Sequence, residues 1–406
     1  MMEAVYERCC GIDVHKKIII ACVRSGRKQE TKEFGTSTSD LRDLANWLKE
    51  NNCQMAAMES TGSYWKPVYN VLEVLGIEVM VVNAHHIKNV PGRKTDVKDA
   101  EWIAQLLQHG LLKASYIPDR NQRELREVAR YRKSLVEERA REINRLEKTL
   151  QGANIKLSSV VSSITGKSSR NIIDALITDG LDESNIDTML LGSLRTKRDD
   201  LLRHCDGYLS PLQRKLIRAI LDHIDDMTRR INDIDGIVEG QMKAYEEAIS
   251  KLQEIPGVGK RSAEVILAEI GLDMSRFPTA GHLAAWAGLA PGNNESAGKR
   301  KSGKTRKGNT TLKTTMIQCA QTAKKSKGSY FKAQFDRLVV KRGKNRAKVA
   351  VAHSMLIAIY HMLKFDVPFR DLGEDYYNHF NTEKKINHYL RKLQNLGWEP
   401  PIAADA

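Results

Sequence analysis

The order of apolar and polar positions divides the chain into three parts. In the first part, short apolar runs alternate with amphipathic stretches. The predicted strands are 5–13, 17–23, 54–59 and 77–82, and the predicted helices are 38–50, 64–75 and 96–109. Strands and helices that alternate in this way are typical of an α/β sheet domain. We therefore predict a β-β-α-β-α-β-α domain over residues 1–118.

The middle part, residues 119–251, has the pattern of long charged helices. Apolar residues recur at spacings of three, four, seven or eight over 120–150, and residues 195–250 are similar. A Ser-rich stretch at 152–170 and a small helical region separate the two runs. Two long amphipathic helices form either an antiparallel hairpin or a coiled-coil dimer arm, and both remain open.

The third part, residues 252–365, is predicted to be mostly helical. Its sequence IPGVGK, at 255–260, lies between two helical runs and resembles a helix-hairpin-helix. Backbone N–H groups at the start of the second helix could hold a phosphate there without contacting bases. The alternative is a simple turn between packed helices. Residues 366–406 form a tail with no motif that we can interpret.

The positive charge of the chain is concentrated near its C-terminal end. The net charge is +15, and residues 299–348 contain 17 Lys or Arg and one acid, Asp336, for a segment charge of +16. The rest of the chain therefore carries a charge of −1. A dense basic stretch indicates a polyanionic partner, most often nucleic acid. A solvated, flexible basic tail is the alternative, although apolar residues continue through the stretch at helical spacings.

Several classes of protein are disfavoured. No apolar run is long enough to cross a membrane, and the N-terminus lacks the pattern of a signal peptide, so we expect a cytoplasmic protein. The six cysteines are scattered, which predicts reduced thiols rather than a zinc site or disulfides. The sequence GVGKRS lacks the spacer of a P-loop, which disfavours an NTPase.

Four carboxylates form a candidate metal site. Asp13 and Glu59 lie at the ends of predicted strands, and Asp96 and Asp99 open a predicted helix, one turn apart on one face. Oxygen-only ligands suit Mg²⁺ or Mn²⁺, and two such ions can clamp a phosphodiester during in-line displacement. In the alternative interpretation, Asp96 is only a helix cap and Glu59 only a surface acid.

Three motifs, GIDVHKK, MESTGSYW and GRKTDVKDA, together resemble the N-terminal domain of the DEDD-type insertion-sequence transposases, a family of bridge-RNA-guided recombinases. The resemblance extends over about residues 1–365. It implies a RuvC-like N-terminal domain with an RNase H-type fold. The acidic tetrad of the family then corresponds to Asp13, Glu59, Asp96 and Asp99.

A second candidate site lies in residues 289–309, which are rich in Gly, Ser and Asn, carry six Lys or Arg, and suit a flexible loop. Nearby cations would stabilise a serine alkoxide and a phosphorane-like transition state. The family resemblance implies a nucleophilic serine here, at Ser296, with Ser302 as the second choice. The predicted nucleic-acid contacts are Lys260, Lys299, Arg300, Lys301, Lys304, Arg306 and Lys307.

Taken with the resemblance, these sites predict a DNA transposase that acts through a 5′-phosphoserine link and needs no ATP. The expected partners are donor and target duplexes, a noncoding guide RNA and further copies of the chain, as a dimer or tetramer, with action at the nucleoid. One alternative is a Mg²⁺-dependent RuvC-like nuclease or Holliday-junction resolvase that activates water. Another is a basic scaffold without enzymatic activity.

Overall fold

The computed structural model of the chain describes residues 4–60, 62–84, 87, 99–178, 180–292, 294–296, 299–379 and 382–398. The chain divides into two compact units, Met1–Pro118 and Asp119–Ala406. Each unit is described by itself below. The boundaries predicted further along the chain, after residues 251 and 365, stay predictions.

A mixed five-stranded sheet organises the first unit. Its strands are β1 (Arg8–Val14), β2 (Ile19–Ser25), β3 (Lys28–Phe34), β4 (Met55–Glu59) and β5 (Val79–Val82). Their order across the sheet is β3-β2-β1-β4-β5. The first three strands form an antiparallel meander, and β4 and β5 run parallel to β1. This mixed sheet is compatible with the RNase H-like fold that the family resemblance implies.

Alternate residues of the central strands pack on opposite faces of the sheet, because side-chain direction in a strand has a period of two. Cys10 and Ile12 belong to a core that includes residues of helix α1 (Thr38–Glu50) and helix α2 (Trp65–Val74). Cys9 belongs to a second core, which it shares with residues of helix α3 (Asp99–Gln108). The sheet is thus covered by helices on both faces, and α3 covers the face of Cys9.

The prediction of a mixed α/β domain is confirmed, but the predicted order of elements missed β3. Six of its seven residues are exposed, and only Phe34 is buried, so the strand has no apolar alternation. The strand forms because its backbone pairs with β2 along all seven residues, from Ile19–Phe34 to Ser25–Lys28. Helix α1 was predicted with the observed bounds, and Ser37 and Asp40 form a capping box at its start.

The second unit is mostly helical, as predicted. Its helices are α4 (Arg120–Gly152), α5 (Lys167–Ile177), α6 (Ile186–Met189), α7 (Arg198–Cys205), α8 (Pro211–Met242), α9 (Glu246–Gln253), α10 (Lys260–Ile270), α11 (Ala280–Trp286), α12 (Thr310–Ala323), α13 (Tyr330–Phe365), α14 (Tyr376–His379) and α15 (Thr382–Asn395). Two short strands, β6 (Asn294–Ser296) and β7 (Lys299–Ser302), form a separate sheet. None of the described helices in the chain is long and apolar enough to cross a membrane.

The two long helices α4 and α8 pack against each other within the chain. Leu146 and Leu150, near the end of α4, share a core with Ile217, near the start of α8. Towards the other ends, Arg132 of α4 pairs with Asp235 of α8 at 3.1 Å. The helices therefore run antiparallel, which corresponds to the hairpin alternative, and these apolar faces are already covered by the chain itself.

Helix α13 is bent near its middle. Gly343 has a φ of 75° and a ψ of 164°, so two helical segments meet there at a kink. Both segments are anchored, since Phe331 on one side and Val351 on the other are almost fully buried. Tyr360 in the second segment donates a buried hydrogen bond of 2.9 Å to the carbonyl oxygen of Phe277.

Candidate functional site

Helix α3 approaches strand β1 most closely at Gly11. A Cβ atom at this glycine would lie 2.1 Å from the carbonyl oxygen of Ala100 and 2.3 Å from the backbone nitrogen of Ala104. Both distances are far below van der Waals contact, so only glycine permits this packing. The Sγ of Cys9, on the same face, lies 3.5 Å from the Ala104 carbonyl oxygen. The start of α3 is thereby held against the strand that carries Asp13.

Asp13 and Glu59 lie side by side on adjacent parallel strands. The register pairs Gly11 with Ala57 and Ile12 with Met58, so the next residues along β1 and β4 are Asp13 and Glu59. Because side chains two residues apart point the same way, Asp13 lies on the face of Gly11, which α3 covers. Neighbouring strands are about 4.8 Å apart, which puts the two carboxylates within reach of each other.

The ionisation of Asp13 reflects the neighbouring acids. Burial is the largest cause that raises the pKa of Asp13, and the negative charges of Asp99 and Glu59 raise this pKa further. His15 lowers it, and the His15 Nε2 lies 2.9 Å from the Asp13 Oδ2. Asp13, Glu59 and Asp99 therefore share one electrostatic environment, as a convergent acidic site requires.

The fourth predicted carboxylate, Asp96, lies outside the described residues. Within the part of the chain that the structure describes, no three His, Cys, Asp or Glu side chains are close enough together to hold a metal ion. The described carboxylates thus influence one another's ionisation without closing around an ion by themselves. Their oxygen-only chemistry fits a hard divalent cation such as Mg²⁺ or Mn²⁺. The tetrad as a metal site stays a prediction.

His15 is a site residue that our sequence analysis did not single out. It stands two positions after Asp13 in the quoted motif GIDVHKK, and its side chain is about half exposed. Side chains two residues apart in one strand point the same way and can contact each other. Strand β1 ends before His15, however, so this rule could not predict a contact between Asp13 and His15. Only the folded backbone reveals this hydrogen bond.

The segment that carries the two candidate serines is a β-hairpin rather than the flexible loop expected from its composition. Strands β6 and β7 pair antiparallel, with Ser296 opposite Lys299 and Ser302 opposite Asn294. For Ser296, Lys299, Arg300 and Lys301 the structure describes the backbone alone, and the role of these side chains stays a prediction. Lys304, Arg306 and Lys307, just after the hairpin, are exposed.

Close backbone contacts fasten the base of this hairpin. The Gly292 N–H donates to the carbonyl oxygen of Lys304 at 3.0 Å. A Cβ atom at Gly308 would lie 2.4 Å from the backbone nitrogen of Gly288, so these glycines let the two ends of the segment approach. Ser302 accepts a 3.1 Å hydrogen bond from the backbone of Lys304 through its Oγ. The candidate serines therefore lie on a hairpin whose two ends are held together by backbone contacts.

A buried carboxylate connects this base to α4. Glu269 in α10 is 1% exposed and accepts two hydrogen bonds from the Arg130 guanidinium, at 2.7 and 2.8 Å. The Arg126 Nε lies 3.2 Å from the same carboxylate, and the Asn309 side chain donates to it at 2.5 Å. Asn309 also caps α12, directly after the hairpin segment. The buried Glu269 carboxylate is thus both ion-paired and hydrogen-bonded, as burial of charge requires.

The IPGVGK segment forms a tight turn between α9 and α10. Gly257 has a φ of +89°, and a Cβ atom there would lie 2.5 Å from the Cys319 carbonyl oxygen in α12. This glycine therefore has a packing role. Lys260 forms an ion pair with Glu239 of α8. Phosphate binding by the turn and by Lys260 stays a prediction.

Comparisons with known proteins relate the chain to transposases. Residues 10–155 match the DEDD transposase family model, and residues 249–336 match the model described as "Transposase IS116/IS110/IS902 family". The transposase for insertion sequence element IS1111A of Coxiella burnetii is 22% identical over 368 residues, which cover 89% of this chain and 87% of the relative. The pilin gene-inverting protein of Moraxella bovis is 24% identical and covers 70% of this chain and 73% of its own length. An insertion element IS110 protein of Streptomyces coelicolor is 29% identical over 57% of this chain and 61% of its own.

The acidic face of the sheet lies inside the first matched region, and the hairpin lies inside the second. Together the two regions cover more than half of the chain, and both belong to transposases, which are DNA-processing enzymes. The chain belongs to the IS116/IS110/IS902 family of transposases.

Proposed function

We propose that this transposase cleaves and exchanges DNA strands with an acidic, divalent-metal-binding site on β1, β4 and α3. The observation that carries the proposal is the β1–β4 register, with Asp13 beside Glu59 on the face that α3 covers. Asp13, Glu59, Asp96 and Asp99 would hold Mg²⁺ or Mn²⁺. The bound cation would supply Lewis-acid stabilisation of charge on the reacting phosphate.

The residues around Asp13 would prepare it for this role. His15 donates to the Asp13 Oδ2 and so would orient the carboxylate. Burial and the two neighbouring negative charges raise the pKa of Asp13 by disfavouring its ionised form, so a bound cation would stabilise that form. Gly11 would allow the start of α3, and with it Asp99, to stay close to the strand.

We propose Ser296 as the nucleophile of the strand-cleavage step. Its Oγ would attack the phosphorus, a serine O–P bond would form as the bond to the 3′ oxygen breaks, and the serine proton would end on the released 3′-hydroxyl. The product is a 5′-phosphoserine, which keeps the ester for rejoining without ATP. The exposed cations Lys304, Arg306 and Lys307 beside the hairpin support a phosphate at this segment.

Target choice by a noncoding RNA is the third element of the proposal, and it rests on the family resemblance of the three N-terminal motifs. The protein would bind RNA by its shape and backbone, while base pairing selects the target. Strand exchange needs two duplexes, so a homodimer or tetramer would act. The relative named for pilin gene inversion supports an exchange of strands rather than simple degradation.

The acidic site is tested with Asp13→Asn and Glu59→Gln variants. Both are expected to bind duplex DNA as the parent does and to lose cleavage in Mg²⁺ by about a hundredfold or more, because the phosphate loses its charge stabilisation. Glu101→Gln is the matched control, since Glu101 lies in the same first helical turn as Asp99. Normal cleavage by both site variants would contradict the proposal.

The serine step is tested on a denaturing gel that detects protein–DNA adducts. Ser296→Ala is expected to abolish the adduct, and Ser302→Ala is expected to retain it. The reverse pattern would make Ser302 the nucleophile. Normal cleavage by Ser296→Ala, with no adduct in the parent protein, would instead favour the nuclease or resolvase alternative, in which water attacks.

A further inference from the structure

We propose that the kink of α13 is a binding site for the phosphate backbone of duplex DNA. Five cations lie within eight residues around Gly343: Lys341, Arg342, Lys344, Arg346 and Lys348. We call this set the basic kink. No acid occurs between its first and last cation. The kink lies beyond the region matched by the second family model, and its residues lie outside the sequence segments that carry the candidate serines and acids.

No acid in the part of the chain that the structure describes neutralises the charges of the basic kink. None of the five cations forms an ion pair with any residue that the structure describes. Other cations of the same unit are paired, as Lys332 is with Asp336 at 2.6 Å and Lys260 is with Glu239. Neighbouring like charges destabilise a helix, so this arrangement costs stability unless an anion binds.

The basic kink is held rigidly, which distinguishes it from a solvated charged tail. Phe335 before it is 8% exposed, and Ala347 and Val351 after it are fully buried. The Lys324 ammonium packs over the Phe335 ring at 5.0 Å. Residues 341–346 between these anchors are exposed. Four of the five cations therefore lie on an exposed surface between buried anchors, and Lys348 is partly buried.

The dimensions and chemistry favour a duplex. Eight residues at the helical rise would span about 12 Å, and duplex DNA carries one phosphate charge per about 1.7 Å of axis, so about seven phosphates lie along a length of this order. The segment KRGKNRAK contains no aromatic residue that could stack on unpaired bases, which disfavours a single-stranded ligand. The helical segment after Gly343 adds the positive end of its dipole.

The test measures binding of the full chain to a duplex of unrelated sequence by fluorescence anisotropy, as a function of salt. The Lys344→Gln/Arg346→Gln double variant is expected to reduce the slope of log affinity against log salt by about 2, about 1 per cation. The factor by which the double variant binds more weakly than the parent should therefore fall about tenfold between about 50 and 200 mM salt.

The matched control is Arg229→Gln/Arg230→Gln, which removes two exposed cations that Asp226 already pairs with. It is expected to leave the slope unchanged. A double variant of the kink with the slope of this control would overturn the proposal, as would a variant that weakens binding to a hairpin RNA but not to the duplex. Lys344→Arg/Arg346→Lys should keep the parental slope if charge, rather than folding, is responsible.

This inference does not depend on the serine step. Binding of an unrelated duplex requires neither Ser296 nor the acidic residues, so Ser296→Ala should keep the parental salt slope. If the serine mechanism is wrong, only the result of the denaturing gel changes. If the basic kink does not bind DNA, only the expected change in the salt slope is missing.

Discussion

Gly11 and Ala100 lie so close together that a methyl group on Gly11 would stand 2.1 Å from the Ala100 carbonyl oxygen. This contact joins the central strand of the sheet to the first turn of α3. Asp13 lies two residues further along the strand, and Asp99 lies one residue before Ala100. Gly11 thus allows the close approach of the two elements that carry Asp13 and Asp99.

Gly11→Ala is expected to destabilise the protein by about 2–3 kcal/mol, because the added methyl must displace backbone atoms of α3. Urea unfolding monitored by circular dichroism measures this effect. Gly236→Ala is the control, since Gly236 lies within α8 with open space around it. Alanine there should increase stability by about 0.5–1 kcal/mol. Equal stabilities of the Gly11→Ala variant and the parent would show that α3 can move away freely.

Asp13→Asn is expected to increase stability near pH 7 more than near pH 4, in the absence of divalent cations. The pKa of Asp13 is raised in the folded chain, chiefly by burial and then by Asp99 and Glu59. The folded chain therefore binds this proton more tightly than the unfolded chain does. The favourable contribution of Asp13 to folding stability is present below its pKa in the unfolded chain and is lost as the pH rises through its pKa in the folded chain. Urea unfolding at the two pH values tests this, and a uniform loss of stability would contradict it.

Glu269→Gln is expected to destabilise the second unit by about 3 kcal/mol, because it leaves the guanidinium groups of Arg126 and Arg130 without their carboxylate. Loss of helical circular dichroism in urea measures the change. Asp226→Asn removes a partly exposed carboxylate that also pairs with two arginines, and it should cost less than about 1 kcal/mol. If both substitutions lowered the free energy of unfolding by similar amounts, burial would not make the ion pairs of Glu269 more important for stability than those of Asp226.

Alkylation of the native chain by iodoacetamide is expected to be much slower than alkylation in urea. Burial raises the pKa of Cys9 to about 12 and that of Cys205 to about 11, and it raises the pKa of Cys10 well above its ordinary value. At neutral pH these thiols carry almost no reactive thiolate. Mass spectrometry of the labelled protein tests this. Rapid labelling of Cys10 in the native chain would contradict its burial.

Local chemistry made part of the fold predictable. Helix α1 was predicted with its observed bounds, because Ser37 and Asp40 form the capping box within four residues of each other. Helix α4 was predicted to within two residues for a similar reason, since its apolar spacing is regular and Asp119 caps its start. Asp13 and Glu59 were proposed from the sequence as acids at the ends of apolar strands, and the register places them next to each other.

Tertiary contacts decided the rest. Strand β3 is almost entirely polar and exists through its backbone pairing with β2, which no side-chain pattern records. The packing of α4 on α8 corresponds to the antiparallel hairpin, which is one of the two arrangements that the sequence left open beside a coiled-coil dimer arm.

By itself, then, the sequence determined the local elements and the kind of chemistry, because caps, apolar periodicity and residue types act within a few positions. The tertiary structure alone decided that Glu269 is buried between Arg126 and Arg130, that Gly11 must be glycine, and that the chain bends at Gly343. Each of these depends on which distant segment, or which backbone angle, the folded chain brings to that position. Such contacts join residues far apart along the chain, as Arg130 and Glu269 are.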